Sequence, residues 1–196
     1  MAVVSPAPKS EMAVAAAALA AIGGKPVLER FLDETEVHSV DIGRFADRPT
    51  PGYTTFSTLN LHMEPNLLEG DDRRVEIAGV AASTATDFPG LLSTVAFFVK
   101  KDHWLCAPGV VFPGLIPQYR PGLSTTLEHV LFVEPFPWDS LSTVKISDDL
   151  SVHWLLAMPI SEAERRFLLE HGYDKFQEMF EAHDVPYFDL ERPSIL

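Results

Sequence analysis

Between Cys106 and Gly122 the chain carries Pro108, Pro113, Pro117 and Pro121 together with Gly109, Gly114 and Gly122. Proline lacks the backbone N–H that a helix interior or a central strand needs, and its ring fixes φ. This stretch therefore cannot be regular helix or interior strand throughout. The sequence predicts an ordered loop with short extended pieces, and regular elements must be sought on either side of it.

Residues 1–10 hold two prolines and no apolar period, and read as a loose arm. Glu11 to Ile22 suits a helix that Gly23-Gly24 ends. Val27 to Leu32, following Pro26, reads as a second short helix. The period then changes to two. Glu36 to Phe45, Tyr53 to His62 and Arg73 to Val80 are strand-like and are expected to form an antiparallel meander. Asp87 is placed to cap a helix from Phe88 to Lys101, whose Leu91, Leu92, Val95, Phe98 and Val99 form an apolar stripe.

Beyond the proline-rich stretch, Leu127 to Val133 reads as a buried strand. Thr143 to Ile146 and Leu150 to Leu156 read as a hairpin turning at Asp148-Asp149. Ser161 and Glu164 have capping-box spacing at the start of a helix, Gly172 separates two helical runs, and Val185 to Leu196 looks extended. Helix, strands, helix, strands and helices in that order give an α+β fold: a mixed, mainly antiparallel sheet packed with helices, in a single domain. At 196 residues, one domain fits better than two.

The formal net charge of −13 disfavours nucleic acid and anionic membranes as partners, because both repel an acidic surface. It suits a basic partner through electrostatic steering, although acidity spread along the chain also serves solubility alone. The single cysteine, Cys106, cannot form an internal disulfide, and a reducing, cytoplasmic location is the expectation. The apolar Ala13 to Ile22 segment lacks the basic flank of a signal peptide, since Lys9 is offset by Glu11.

Chemistry is hard to find. The seven histidines show no ligand spacing, so no metal is expected, although His129 and His153 lie in strands that could bring them together. Cys106 lies among Trp104, Leu105 and Val110 and reads as a buried small hydrophobe rather than a nucleophile. No serine elbow and no glycine-rich nucleotide loop is present, so no catalytic or cofactor-binding residue is assigned. The run Glu162, Glu164, Arg165, Arg166 reads as a solvated helix face with one cap. Trp104, Phe112, Tyr119, Phe136 and Trp138 punctuate the loop region. They are the candidate partner-binding residues, because aromatics on a stiffened loop anchor interfaces at low entropic cost; the alternative is that they cap the core beneath.

The segment from Val152 to Leu196 resembles the end of the Suppressor of fused domain family. The resemblance rests on Pro159-Ile160-Ser161 with Glu164, on His171-Gly172, and on Arg192-Pro193-Ser194-Ile195. Tyr53 to Leu61, Arg74 to Ile77, Trp104 to Gly109 and Leu127 to Pro135 are similar to family elements in matching order, with Asn60 where the family has glycine. The resemblance covers residues 35–196 as a small, bacterial-type stand-alone member, and leaves 1–34 as an N-terminal arm and helix. It implies a non-enzymatic protein-binding domain without a cofactor. An immunity-type role, sequestering a toxin or other protein, is the leading implication, and a basic toxin would suit the charge. A regulator that binds an intracellular factor by strand addition is the second reading, and an enzyme with an unrecognised site the third. An exposed strand edge could also pair two copies into a homodimer.

Overall fold

The structure is a computed structural model that describes residues 9–147, 150–183 and 185–196; of the arm expected over residues 1–10 only 9 and 10 are described, and both are helical, while the turn expected at Asp148-Asp149 lies outside the described residues. Helix α1 (Lys9–Ile22) buries Val14, Ala18 and Ile22, four residues apart, along one face. It ends where Gly23 and Gly24 adopt positive φ and Gly23 N–H bonds to the Leu19 carbonyl.

Val27–Leu32 is strand β1, not a helix. Its apolar residues 27, 28, 31 and 32 mimic helical spacing, but the segment pairs antiparallel along its whole length with β2 (Ser39–Ala46). Backbone pairing decides the conformation at a sheet edge, where side-chain periodicity is weak. Strand β3 (Tyr53–Thr58) pairs with β2, and a 3-10 turn at Leu61–Met63 and a two-residue hairpin, β4 (Leu67–Leu68) and β5 (Asp71–Asp72), lead to β6 (Arg74–Ala82). The expected meander is thus β2-β3-β6.

Helix α2 (Phe88–Asp102) follows. Asp87 does not cap it through its side chain: the residue is itself helical in φ and ψ, and its carboxylate pairs with Arg120 instead. Phe88 packs where Gly79 crosses, since a Cβ on Gly79 would lie 2.5 Å from the Phe88 ring. The proline-rich stretch holds β7 (Val111–Phe112), as expected of an extended piece, and also a short helix, α3 (Leu115–Tyr119). Pro117 fits there because the first-turn N–H groups of a helix have no partner within it.

Strands β8 (His129–Val133), β9 (Thr143–Ser147) and β10 (Leu150–Ile160) precede helices α4 (Glu162–His171) and α5 (Tyr173–Ala182). Ser161 and Glu164 form the capping box in full. The tail from 185 is partly turned rather than extended throughout: Tyr187 N–H bonds to Val185 and Asp189 N–H to Pro186.

Among the described residues the main sheet has 8 strands in the order β1-β2-β3-β6-β10-β8-β7, with β9 also on β10. Every pairing is antiparallel except β6 with β10. The fold is therefore α+β with a mixed, mainly antiparallel sheet in one compact domain. Helix α2 covers one face over Ile42, Phe56, Ile77, Phe132 and Leu155. Helices α1, α4 and α5 cover the other over Phe45, Val80, Leu131, Trp154 and Met158. Strand β10 is covered on both faces, which explains its unbroken apolar run from Trp154 to Ile160.

Candidate binding groove beside the 134–142 loop

The five candidate aromatics do not form one surface. Phe112 is 2% exposed and Trp138 7%; both belong to the core. Trp104 is half-buried between Phe98 and Phe112, with ring centroids 4.5 and 4.8 Å away. Tyr119 is half-buried over Gly90, where a Cβ would collide with its hydroxyl, and burial raises its phenol pKa. Phe136, by contrast, is 51% exposed.

Phe136 and Trp138 alternate on the 134–142 loop, which carries the chain from β8 to β9. Trp138 is buried in the core, and its backbone N–H donates to the Pro135 carbonyl. Phe136 leans edge-on against Tyr187 of the tail at 5.1 Å. Between this loop and α5 lies a groove of about 220 Å³ with Met158, Phe176, Phe180 and Tyr187 in its walls. Phe176 and Phe180 stack at 4.5 Å, one helical turn apart. Glu134 and Glu181 also line it.

Glu134 is fixed from behind. The Tyr173 hydroxyl donates to its carboxylate at 2.6 Å. Burial, followed by this bond and the Glu134 charge, holds the Tyr173 phenol well above the usual range. The Tyr173 ring in turn lies against Gly109, 3.3 Å from where a Cβ would stand. The proline-rich stretch therefore braces the groove without lining it.

A second cavity of about 240 Å³ lies across the loop, lined among others by Cys106, Pro108, Pro135, Thr143 and His153. Cys106 is 1% exposed, and burial pushes its thiol far above the ordinary range, so it carries no nucleophilic thiolate. Its backbone is held from both sides by the Asn66 amide, at 2.9 and 2.8 Å. His153 Nδ1 meets the Thr143 hydroxyl at 2.8 Å, and burial, then the nearby Arg73 charge, lowers its pKa.

His129 and His153 do not meet. His129 stands opposite Ile160 and His153 opposite Thr143, at different ends of β10. His129 accepts from the Gly114 N–H through Nδ1 and so donates through Nε2 to Glu162. No group of three His, Cys, Asp or Glu side chains among the described residues is arranged to hold a metal ion.

Two buried polar clusters escaped the sequence reading. The Glu76 carboxylate, wholly buried, accepts from the Thr58 hydroxyl and from His62, through its ring Nδ1 at 2.6 Å and its N–H at 3.0 Å. Glu164 is not on a solvated face: it is wholly buried against Arg192. Arg192 also donates to the Pro159 carbonyl, Ile195 N–H donates to Glu164, and the Ser161 and Ser194 hydroxyls meet at 2.7 Å. The motif residues 159–164 and 192–195 thus form one locked unit, and its Arg192 guanidinium lies over the Phe180 ring of the groove wall at 5.4 Å. No described helix is long and apolar enough to cross a membrane.

Residues 34–193 match the family described as Suppressor of fused protein (SUFU). The chain is 34% identical over 185 residues to the immunity protein YqcF of Bacillus subtilis (strain 168), covering 93% of this chain and 95% of that protein. Among solved structures, a Suppressor of fused homologue from Neisseria gonorrhoeae FA 1090 superposes with a TM-score of 0.71 at 13% identity, covering 95% of this chain and 97% of that one. A chain of the Sufu–Fu complex superposes with a TM-score of 0.61 at 11% identity, covering 87% and 84%. These superpositions establish the shared fold.

Proposed function

Since the chain belongs to the Suppressor of fused family, we propose that it is a non-enzymatic protein-binding domain of the immunity type, acting in the cytoplasm by sequestering a toxin protein. The observation that carries this reading is the 34% identity, over nearly the full length of both chains, to a protein named for immunity. The geometry supports it. The exposed ring of Phe136 stands at the mouth of an apolar groove, as an interface anchor would, whereas the one cysteine is sealed in the core. The net charge of −13 favours a cationic toxin as the partner. Residues 35–196 form the binding unit, and α1 and β1 support it. Of the five aromatics, Phe136 is assigned to direct contact, and Trp104 and Tyr119 offer partly exposed faces; Phe112 and Trp138 act by holding the loop.

The test is co-expression with each toxin encoded beside the gene in a sensitive host. Protection together with a stoichiometric complex is expected. Unprotected cells with every neighbouring toxin, and no stoichiometric partner from the native host, would refute it.

A second reading, regulation by strand addition, has one specific support. Asp33 N–H bonds to His38, and the same register takes Phe31 to Val40 and Glu29 to Ile42. The backbone groups of Leu28, Arg30 and Leu32 therefore point off the sheet, where β1 is the terminal strand among the described residues. That edge would take an extended peptide, or β1 of a second copy. Light scattering of the isolated chain distinguishes a homodimer from a monomer awaiting a partner.

A further inference from the structure

We infer that the groove beside Phe136 receives a lysine or arginine side chain of the partner protein, a chemical assignment that deepens the immunity reading and rests on it. The walls are aromatic. Phe136 and Tyr187 meet at a 67° interplanar angle, 5.1 Å apart, and Phe180 lies 6.2 Å from Tyr187. Phe180 already has the Arg192 guanidinium 5.4 Å from its ring centroid, so this aromatic cluster accepts a cation on a ring face. The rings' apolar surface, with Met158 beside them, suits the methylene stem of a long basic side chain.

The carboxylates lie where the charged head would reach them. Glu134 and Glu181 line the groove, and neither has a Lys or Arg partner among the described residues. Elsewhere on α5, Glu178 pairs with Lys175 at 2.6 Å. Glu134 is also pre-oriented: Tyr173 occupies one of its oxygens at 2.6 Å, which spares the ordering cost on binding. The two carboxylates and the net charge of −13 would oppose an anion's approach.

The experiment selects a displayed random-peptide library on the full chain, then resynthesises the enriched peptides. Enriched sequences are expected to place Lys or Arg beside an apolar residue. Their affinity should fall at least tenfold in the Glu134→Gln, Glu181→Gln double variant and in Phe136→Ser. Replacing the peptide's arginine by citrulline should cause a similar loss, and the double variant should bind with weaker salt dependence. Glutamine can still accept from Tyr173, and both variants are checked for wild-type melting before binding is scored. No enrichment, neutral or acidic enriched peptides, or unchanged affinity in the double variant overturns the inference. The two readings separate cleanly. Toxin neutralisation that survives the double variant removes the groove assignment and keeps the immunity role. Peptide binding through the groove without protection from any toxin does the reverse.

Discussion

Glu164 and Arg192, 28 positions apart, are both wholly buried and meet through two hydrogen bonds of 2.6 and 2.8 Å. The same carboxylate accepts from the Ser161 and Ile195 N–H groups. One side chain therefore caps α4, neutralises a buried guanidinium and ties down the tail. Removing either partner leaves an uncompensated charge in the core. Glu164→Gln and Arg192→Leu are each expected to cost about 3–5 kcal/mol. Urea unfolding of both single variants and the double variant checks this, and the double variant should lose less than the sum of the singles.

Phe136 and Trp138, two residues apart, should respond in opposite ways. Phe136→Ser is expected to change stability by no more than about 0.5 kcal/mol, as for other exposed sites. It should weaken a neutralised toxin complex by about 2 kcal/mol or more, the scale of an interface anchor. Trp138→Ala should unfold the chain by about 3–5 kcal/mol through cavity formation. Melting curves and isothermal titration separate the two effects. Equal behaviour of the pair would dissolve the distinction between anchor and plug.

Trp154 of β10 donates from Nε1 to the Ser57 hydroxyl of β3 at 3.1 Å, spanning the intervening β6. Ser57→Ala leaves that donor unpaired and should cost about 1–3 kcal/mol. Ser57→Thr, which keeps a hydroxyl, should retain more of the stability. Chemical denaturation monitored by tryptophan fluorescence reads both.

Asp33 gives a pH dependence with a definite sign. Burial alone would favour its neutral acid, but the His38 N–H, the Thr35 hydroxyl, the His38 ring and the Val37 N–H outweigh it and hold the carboxyl well below the usual carboxylate range. A group depressed in the folded state stabilises above its unfolded pKa of about 3.9 and loses that contribution as pH falls through the folded pKa. Urea midpoints should therefore fall between about pH 4 and pH 2, and less steeply in Asp33→Asn. Because Asp33 closes the β1–β2 turn, hydrogen exchange in β1 should quicken first.

Cys106 tests the enzymatic alternative. Native protein should resist a thiol reagent until it is unfolded, since burial raises the thiol far above the ordinary range. Cys106→Ala should leave toxin protection intact. Loss of a measured activity in that variant, with the fold retained, would revive an enzyme.

Local rules carried the sequence reading where local forces decide. The Ser161–Glu164 box, the Gly172 break and the stripe of α2 depend on neighbours within a few residues, and each stands in the structure. Val27–Leu32 misled because residues spaced like a helix lie on an edge strand whose conformation is set by β2. Asp87 misled because a distant cation, Arg120, competes for its carboxylate. The groove was half legible. Phe136 stands out in the sequence as an aromatic of the loop region, but the helical run after Gly172 and the tail give no sign that Phe176, Phe180 and Tyr187 share a site, and Glu134 carries no signal. Only folding brings β8, α5 and the tail together.

The single parallel pair has a temporal meaning. Strands β1, β2, β3 and β6 can join as soon as residue 82 leaves the ribosome, but β6 must wait for β10, which begins at Leu150. During synthesis the strand that joins β6 to β8 is the last to arrive. Until then, the nascent chain offers the open side of β6 to anything nearby. A ribosome-bound chaperone would find its work concentrated in that interval, and release from it should coincide with the emergence of Trp154.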